Sequence, residues 1–435
     1  MSLPRHSVAV RVFDELAAGG GGRTAARRLV AGQLSKHLIL LRHVFAIGQN
    51  ADLRQAARTR RGWDLLVAVQ HHDQASAEAL IRYPSVGAWA FRTVRVSRGA
   101  PAVPGAEPGQ LSAIAAAAAI RARMPAEIEV PVVDGTVVLP SLGTVAASGP
   151  LAVVCIGEDG AHVVSAGRRL DIPQPPEQDA DGWRGLHRLT TGPFNVLIDD
   201  IDPFRMPKIG NLSPRLSHTE VSKWNAEFQL AWPLLETHHP IVAAEIAEII
   251  GVIVPLERPP DGQVSCSSPQ ACGAAALSEP PDPYTCAVTL AHEVQHQKLS
   301  ALLDIVTLVR PDDGRRYYAP WRDDPRPIGG LLQGAYAHLG VGSFWRRQRS
   351  VADSATWLRA NTEFARWRAA TSHAVGILLS SGQLTPAGLR FVQGMADELK
   401  SWSVELVPPE AQAMADRAAE AHLARWRLAN GPVPS

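Results

Sequence analysis

Apolar residues recur at helical spacing in the first part of the chain. The clearest case is the stretch of residues 23–49, where residues such as Val30 and Leu34 fall on one face. A second helix is predicted over residues 111–124, which are rich in alanine. These patterns predict a helical N-terminal region that covers residues 1–125.

The pattern changes after this region to short runs of β-prone residues that alternate with glycine, proline and aspartate. Such runs predict strands at residues 127–133, 136–139, 151–156, 162–165 and 194–198. Together they predict a small β-rich region over residues 126–212. The last strand runs into Asp199, Asp200 and Asp202, which could bind a hard cation. Because the glycine spacing and the distant glutamate of an EF-hand loop are absent, this segment is interpreted as a turn.

Helical spacing returns in the C-terminal region, residues 213–435. Ser217 and Glu220 have the spacing of a capping box, which predicts the start of a helix that Pro233 kinks or ends. Residues 287–303 contain no proline or glycine and carry apolar positions at helical spacing, so they predict a buried or half-buried helix. The chain is therefore predicted to be a predominantly helical α+β protein.

Two short strands are predicted ahead of that helix, at residues 252–256 and 273–278. In many metallohydrolases, a strand beside the metal-binding helix pairs with an extended peptide along its edge. The second of these two strands is therefore a candidate for binding a peptide substrate.

Composition and charge exclude several classes of function. The 435 residues carry 43 Lys and Arg against 42 Asp and Glu, so the net charge of +1 gives no overall attraction to nucleic acid or to a membrane. No segment reaches the ~20 uninterrupted apolar residues of a membrane span, and the N-terminus lacks the pattern of a secretory signal peptide. We therefore expect a cytoplasmic protein of two or three structural units that binds neither nucleic acid nor a membrane.

The most informative motif is His-Glu-Val-Gln-His at residues 292–296. Side chains at positions i and i+4 of a helix share one face, so His292 and His296 can bind the same divalent ion. Glu293 is rotated by ~100° from His292, and we expect it to act as a general base or to support a ligand rather than to bind the metal. The motif predicts a metal site.

A catalytic metal takes about three protein ligands, so a third must come from outside this motif. Asp304 lies ~12 Å further along the same helix and is too far away. His338 ranks first, because it lies in the middle of an apolar helix predicted over residues 329–345. Glu363 and His373, on the helix after that one, are the alternatives.

The connection between these helices, residues 315–327, is rich in arginine and aromatic residues. Arginine binds a carboxylate through two parallel charge-assisted hydrogen bonds, which suits a carboxylate cosubstrate or an acidic group of a peptide. The alternative is a surface loop in which the arginines pair with Asp323 and Asp324.

Several segments together resemble the HExxH-motif family of peptide-modification proteins found beside genes for ribosomal peptide natural products. They are residues 292–304, 317–327 and 329–338, with further likeness at residues 182–184 and 197–203. Members of this family are understood as iron(II)- and 2-oxoglutarate-dependent peptide β-hydroxylases. The resemblance thus implies an enzyme that uses Fe(II), 2-oxoglutarate and O2 to hydroxylate a precursor peptide.

The same resemblance implies roles for individual residues. It places His292 and His296 on the iron, with His338 as the third ligand. Arg322 or Arg326 would bind the distal carboxylate of 2-oxoglutarate. A set of three histidines departs from the two histidines and one carboxylate that are usual in non-haem oxygenases.

Two chemistries fit the motif. The first is iron(II)/2-oxoglutarate-dependent β-hydroxylation of a residue in a ribosomally made precursor peptide. The alternative is a zinc metallopeptidase, in which Glu293 takes a proton from bound water and Tyr317, Tyr318 or Tyr336 stabilises the oxyanion. A third hypothesis is a peptide-binding scaffold that holds a structural metal and has no activity.

Overall fold

The computed structural model describes residues 6–192, 194–207, 210–260 and 262–432 of the chain. Helices make up 54% of the structure and strands 15%, and the small sheets lie in the middle of the sequence. The predicted class, a predominantly helical α+β protein, is confirmed. None of the described helices is long and apolar enough to cross a membrane.

The described residues form thirteen α-helices and twelve strands. The helices are α1 (Val10–Ala17), α2 (Gly22–Gln49), α3 (Leu53–His72), α4 (Gln74–Ile81), α5 (Pro84–Ser97), α6 (Leu111–Arg121), α7 (His218–His238), α8 (Pro240–Ile249), α9 (Pro283–Leu303), α10 (Ile328–Gln348), α11 (Trp357–Ser380), α12 (Pro386–Trp402) and α13 (Pro409–Asn430). The strands are β1 (Ala126–Pro131), β2 (Thr136–Leu139), β3 (Gly143–Ala146), β4 (Leu151–Gly157), β5 (Gly160–Ser165), β6 (Arg168–Ile172), β7 (Trp183–Gly185), β8 (His187–Thr191), β9 (Phe194–Ile198), β10 (Val252–Leu256), β11 (Ser265–Ser267) and β12 (Ala274–Ser278).

The strands form three sheets. A four-stranded sheet has the order β1-β4-β5-β6 and a three-stranded sheet the order β2-β3-β7, and both are antiparallel. The third sheet has the order β11-β12-β10-β9-β8. Its three inner strands are parallel, so that Val252 lies opposite both Leu197 and Ala274, and its two outer strands pair antiparallel.

Two compact units make up the chain, and each is discontinuous in sequence. The first contains the chain up to Gly32, Gln229–Ile249 and the residues from Pro281 onward, and the second contains Gln33–Phe228 and Ile250–Pro280. The three consecutive regions expected from the sequence, 1–125, 126–212 and 213–435, stay a prediction of domain limits, and the two units cut across them.

The first unit is built from helices that pack around α10. Helix α10 lies against α9 and α11, α11 also contacts α12 and α13, and α8 packs on α9. The close approach of α9 and α10 requires Gly340, because a Cβ added there would lie 2.6 Å from Gln295 Cγ. Helix α9 begins at Pro283, where the Asp282 side chain accepts a hydrogen bond from the backbone N–H of Thr285.

The second unit contains all twelve described strands, and its core is centred on α6. This alanine-rich helix packs on α3, β1 and β2, and its small side chains allow neighbours to approach closely. The segment that follows β9 is the predicted turn. Asp199 accepts hydrogen bonds from the Asp202 backbone N–H at 2.9 Å and from the Tyr83 hydroxyl at 2.7 Å. Burial, with Asp199 close by, raises the pKa of Asp202 to about 7.

Most of the predicted elements are present. The helices expected at residues 23–49, 111–124 and 287–303 are α2, α6 and α9, and each expected strand has a counterpart among β1, β2, β4, β5, β9, β10 and β12. The capping box is also confirmed, since the backbone N–H of Ser217 donates to Glu220 Oε2 at 2.7 Å. A role for β12 in peptide binding stays a prediction.

Of the two outcomes predicted for Pro233, a kink or an end of the helix, the end is wrong. Helix α7 continues through this proline to His238. Trp232 and Leu235 are buried on either side of it. The free energy gained by burying these two apolar side chains offsets the cost of the backbone hydrogen bond that proline cannot make.

Candidate metal centre

Helix α9 carries the His-Glu-x-x-His motif, and the two histidines face each other. Their Nε2 atoms are 3.1 Å apart, and their rings are nearly perpendicular, with centroids 4.7 Å apart. Two imidazoles that bind one ion at about 2.0–2.1 Å hold their Nε2 atoms roughly 3 Å apart. His292 and His296 therefore have the spacing that a shared metal ion requires.

His338 of α10 lies beside this pair. Its ring centroid is 4.9 Å from that of His292, and the planes of the two rings are nearly perpendicular. Of the alternative third ligands, Glu363 accepts a hydrogen bond from the Trp367 indole at 2.7 Å, and His373 lies against a tyrosine ring. Among the described residues, His338 is the candidate whose ring contacts the pair.

Hydrogen bonds at the far side of two rings set which nitrogen carries the proton. Nδ1 of His296 lies 3.1 Å from Gln333 Oε1, and the amide nitrogen of Gln333 donates to the Ser300 hydroxyl at 3.3 Å. Nδ1 of His338 lies 2.9 Å from the backbone oxygen of Gly334. Both oxygens only accept, so both rings carry the proton on Nδ1 and leave the Nε2 lone pair available to a metal.

Burial also keeps the rings of His292 and His338 in the neutral form that binds metals. It lowers the pKa of His292 well below its ordinary value and that of His338 to about 3. Within the described ranges of the chain, no group of three or more His, Cys, Asp or Glu side chains is already arranged to hold an ion. The His292–His296 pair is thus the preformed part of the centre, and His338 adjoins it.

Two tryptophans enclose His338. The Trp321 ring stacks on it with centroids 4.4 Å apart and planes 17° apart, and the Trp367 ring lies at 4.4 Å with a tilt of 36°. The guanidinium of Arg366 in turn lies 4.5 Å from the Trp367 ring centroid. Sequence reasoning missed these residues as part of the site. The sequence feature that could have indicated these tryptophans is an arginine directly beside each of them, at Trp321-Arg322 and Arg366-Trp367.

Gly334 sets the distance between Trp321 and α10. A Cβ added to Gly334 would lie 2.4 Å from Nε1 of Trp321. We therefore expect Gly334→Ala to displace the indole, to change the tryptophan fluorescence and to lower the free energy of unfolding, measured with denaturant, by about 1–3 kcal/mol. Gly329→Ala in the same helix is the control, because its nearest neighbour would be Val309 at 3.9 Å. Equal stability of the two variants would contradict this role for Gly334.

The two arginines predicted to bind a carboxylate cosubstrate are paired within their own loop. Arg322 Nε lies 2.9 Å from Asp324 Oδ1, and Arg326 Nη1 lies 2.7 Å from Asp324 Oδ2. Backbone hydrogen bonds of 2.8 and 2.9 Å between Tyr317 and Arg326 close the loop. The arrangement matches the alternative drawn from the sequence, in which the arginines pair with nearby aspartates. A carboxylate ligand must compete with Asp324 for either guanidinium.

Glu293 is fully buried, and its Oε1 lies 3.9 Å from His292 Nε2. Of the three tyrosines considered for stabilising an oxyanion, Tyr318 is hydrogen-bonded to a histidine ring and Tyr336 donates to a backbone oxygen. The Tyr317 hydroxyl is buried and makes no hydrogen bond within the described part of the chain.

A buried ion pair fixes another face of α9. Lys298 Nζ lies 2.8 Å from Glu245 Oε2, and each side chain is 1% exposed. Lys298 also donates to the backbone oxygens of Gly19 and Gly20 at 3.0 and 2.8 Å, and Glu245 accepts from the backbone N–H of Gly22 at 2.7 Å. This network connects α9 to α8 and to the turn before α2. It therefore fixes the orientation of α9 about its own axis, which determines the direction in which its two histidines point.

The three segments that carry the family resemblance meet at the imidazole cluster. Residues 292–304 supply the histidine pair, residues 317–327 supply Trp321, and residues 329–338 supply His338. The function of the protein is therefore inferred from the chemistry of these side chains. No protein-family model matches the chain, and no curated protein matches it.

Proposed function

We propose that the protein is an iron(II)- and 2-oxoglutarate-dependent enzyme that hydroxylates a Cβ–H bond in a ribosomally made precursor peptide. In the balanced reaction, the peptide C–H bond, O2 and 2-oxoglutarate become a peptide C–OH group, succinate and CO2. One observation carries the proposal: the Nε2 atoms of His292 and His296 are 3.1 Å apart, with the His338 ring against them.

The side chains around the centre fit this chemistry in several ways. Neutral imidazoles bind Fe(II) as well as Zn(II), and iron would supply the redox chemistry that activates O2. Trp321 and Trp367 cover the His338 ring and exclude water from that side. Arg322 or Arg326 would bind the distal carboxylate of 2-oxoglutarate in place of Asp324.

The first test is an anaerobic titration of the purified protein with Fe(II) and then 2-oxoglutarate. We expect a visible charge-transfer band, its loss in His292→Ala, and weaker 2-oxoglutarate binding in Arg322→Ala or Arg326→Ala. His373→Ala is the matched control and should keep the band, because His373 lies against Tyr318 and not in the cluster. Absence of the band in folded, iron-loaded protein would refute the proposal.

A zinc peptidase is the second candidate, and the position of Glu293 favours it. This buried carboxylate lies 3.9 Å from His292 Nε2, close enough to take a proton from a water molecule held at the histidine pair. Hydrolysis of a peptide pool by the zinc-loaded protein, lost in Glu293→Gln, would establish this activity. Formation of succinate and of a peptide heavier by one oxygen atom would establish the first.

A further inference from the structure

A cleft lies between α11 and α13, near the imidazole cluster. It has a volume of about 250 Å³, and its lining includes alanines from both helices, Ala369 and Ala370 on one side and Ala418 and Ala419 on the other. Pockets that bury drug-sized ligands measure roughly 300–1,000 Å³. This cleft is therefore suited to a group about as large as one amino-acid side chain.

Arg366 is the cationic side chain that lines this cleft. Its guanidinium carbon lies over the Trp367 ring, 4.5 Å from the centroid, and the nearest carboxylate is Glu363, at 4.0 Å. Glu363 already accepts a hydrogen bond from the Trp367 indole. Arg366 makes no hydrogen bond within the described residues, so the donors of its guanidinium are available to a ligand.

The other polar groups that line the cleft do not neutralise the positive charge of Arg366. Burial lowers the pKa values of His373 and His422, so both rings are neutral near pH 7. Nδ1 of His422 is hydrogen-bonded to the Tyr318 hydroxyl at 2.9 Å. Glu420, which also lines the cleft, is exposed to solvent, where its charge is screened.

Trp367 joins the cleft to the imidazole cluster. One indole contacts both the His338 ring, at 4.4 Å between centroids, and the Arg366 guanidinium, at 4.5 Å. The Arg366 guanidinium is therefore separated from the His338 ring by the width of one indole.

We propose that this cleft binds an acidic side chain of the peptide substrate, with Arg366 forming paired hydrogen bonds to the carboxylate and the alanines of the lining contacting its methylene groups. Arg366 is then a residue that determines substrate specificity. The inference deepens the proposed function, because it assumes that the substrate is a peptide. It requires no metal, and it is tested on metal-free protein.

The test is a calorimetric titration with two capped pentapeptides, acetyl-Ala-Ala-Glu-Ala-Ala-amide and its glutamine counterpart. We expect the glutamate peptide to bind at least ten-fold more tightly than the glutamine peptide. Arg366→Gln should abolish this preference, and Arg366→Lys, which keeps the charge but loses the paired donors, should reduce it. Arg359→Gln is the matched control on the same helix and should keep the preference, because Arg359 pairs with Asp282.

Equal binding of the two peptides to the parent protein, or a preference that survives in folded Arg366→Gln, would overturn the proposal. Glutarate that binds through Arg366 while the peptides show no preference would assign the cleft to a free dicarboxylate, and would overturn it too. Because these titrations contain no iron, their outcome is independent of the charge-transfer band, and failure of either proposal can be told from failure of the other.

Discussion

Lys298→Met is expected to lower the free energy of unfolding by about 3–5 kcal/mol, since it leaves the Glu245 carboxylate buried without its counter-charge. Both side chains are 1% exposed, and their charged atoms are 2.8 Å apart. Burial lowers the pKa of Lys298 and raises that of Glu245, so each charge depends on the other. Denaturant unfolding followed by circular dichroism measures the effect.

Two comparisons isolate the cause. The double variant Lys298→Met with Glu245→Gln removes both charges, and we expect it to recover a large part of the lost stability. Arg390→Met breaks an exposed pair with Asp14 in the same unit, where both side chains are about half exposed, and should cost less than about 1 kcal/mol. If Lys298→Met costs no more than Arg390→Met, the buried pair does not stabilise this unit.

The second large effect concerns metal affinity. We expect His292→Ala and His296→Ala each to weaken binding of Zn(II) or Co(II) by more than about 100-fold, because loss of even an outer hydrogen-bonding partner typically costs 10–100-fold. Gln333→Leu removes such a partner from His296 and should fall within that lower range. Competition with a chromophoric chelator gives the affinities.

The third ligand is tested in the same experiment. His338→Ala should weaken binding, whereas His373→Ala should leave it unchanged, because His338 contacts the histidine pair and His373 lies against Tyr318. Metal affinity that survives in His338→Ala and falls in His373→Ala would reverse this assignment. Affinity that survives in both His292→Ala and His296→Ala would place the metal elsewhere.

Local periodicity was enough to predict the parts of the site that depend on one helix. A segment without proline or glycine predicted α9, and the spacing of four residues predicted that His292 and His296 share a face. The apolar surroundings of His338 predicted a buried helix. These inferences succeed because helical geometry relates positions in sequence directly to positions in space.

Contacts between distant segments were beyond such reasoning. The partner of Lys298 lies 53 residues away at Glu245, and a lysine in an apolar run carries no sign of which carboxylate it will meet. The role that we propose for Arg366 was overlooked because it depends on the neighbouring α13. Arg322 and Arg326 both pair with Asp324, which lies within two residues of each of them in the sequence. Such pairing was one of the two alternatives predicted for this loop, the other being the binding of a carboxylate ligand. Pro233 shows the same limit, since burial on both sides allows α7 to continue.

The buried network around Lys298 also constrains the order in which the protein takes shape during its synthesis. Lys298 bonds to Gly19, which lies 279 residues earlier in the chain. At about 5–20 residues per second, ribosomes need on the order of 15 to 60 seconds to translate that interval. Throughout this time α1 and the turn after it lack the residues that they contact in the folded protein. Residues Gln33–Phe228 of the second unit are already available to fold. The imidazole cluster can therefore form only late in synthesis, after residue 338 has left the ribosome.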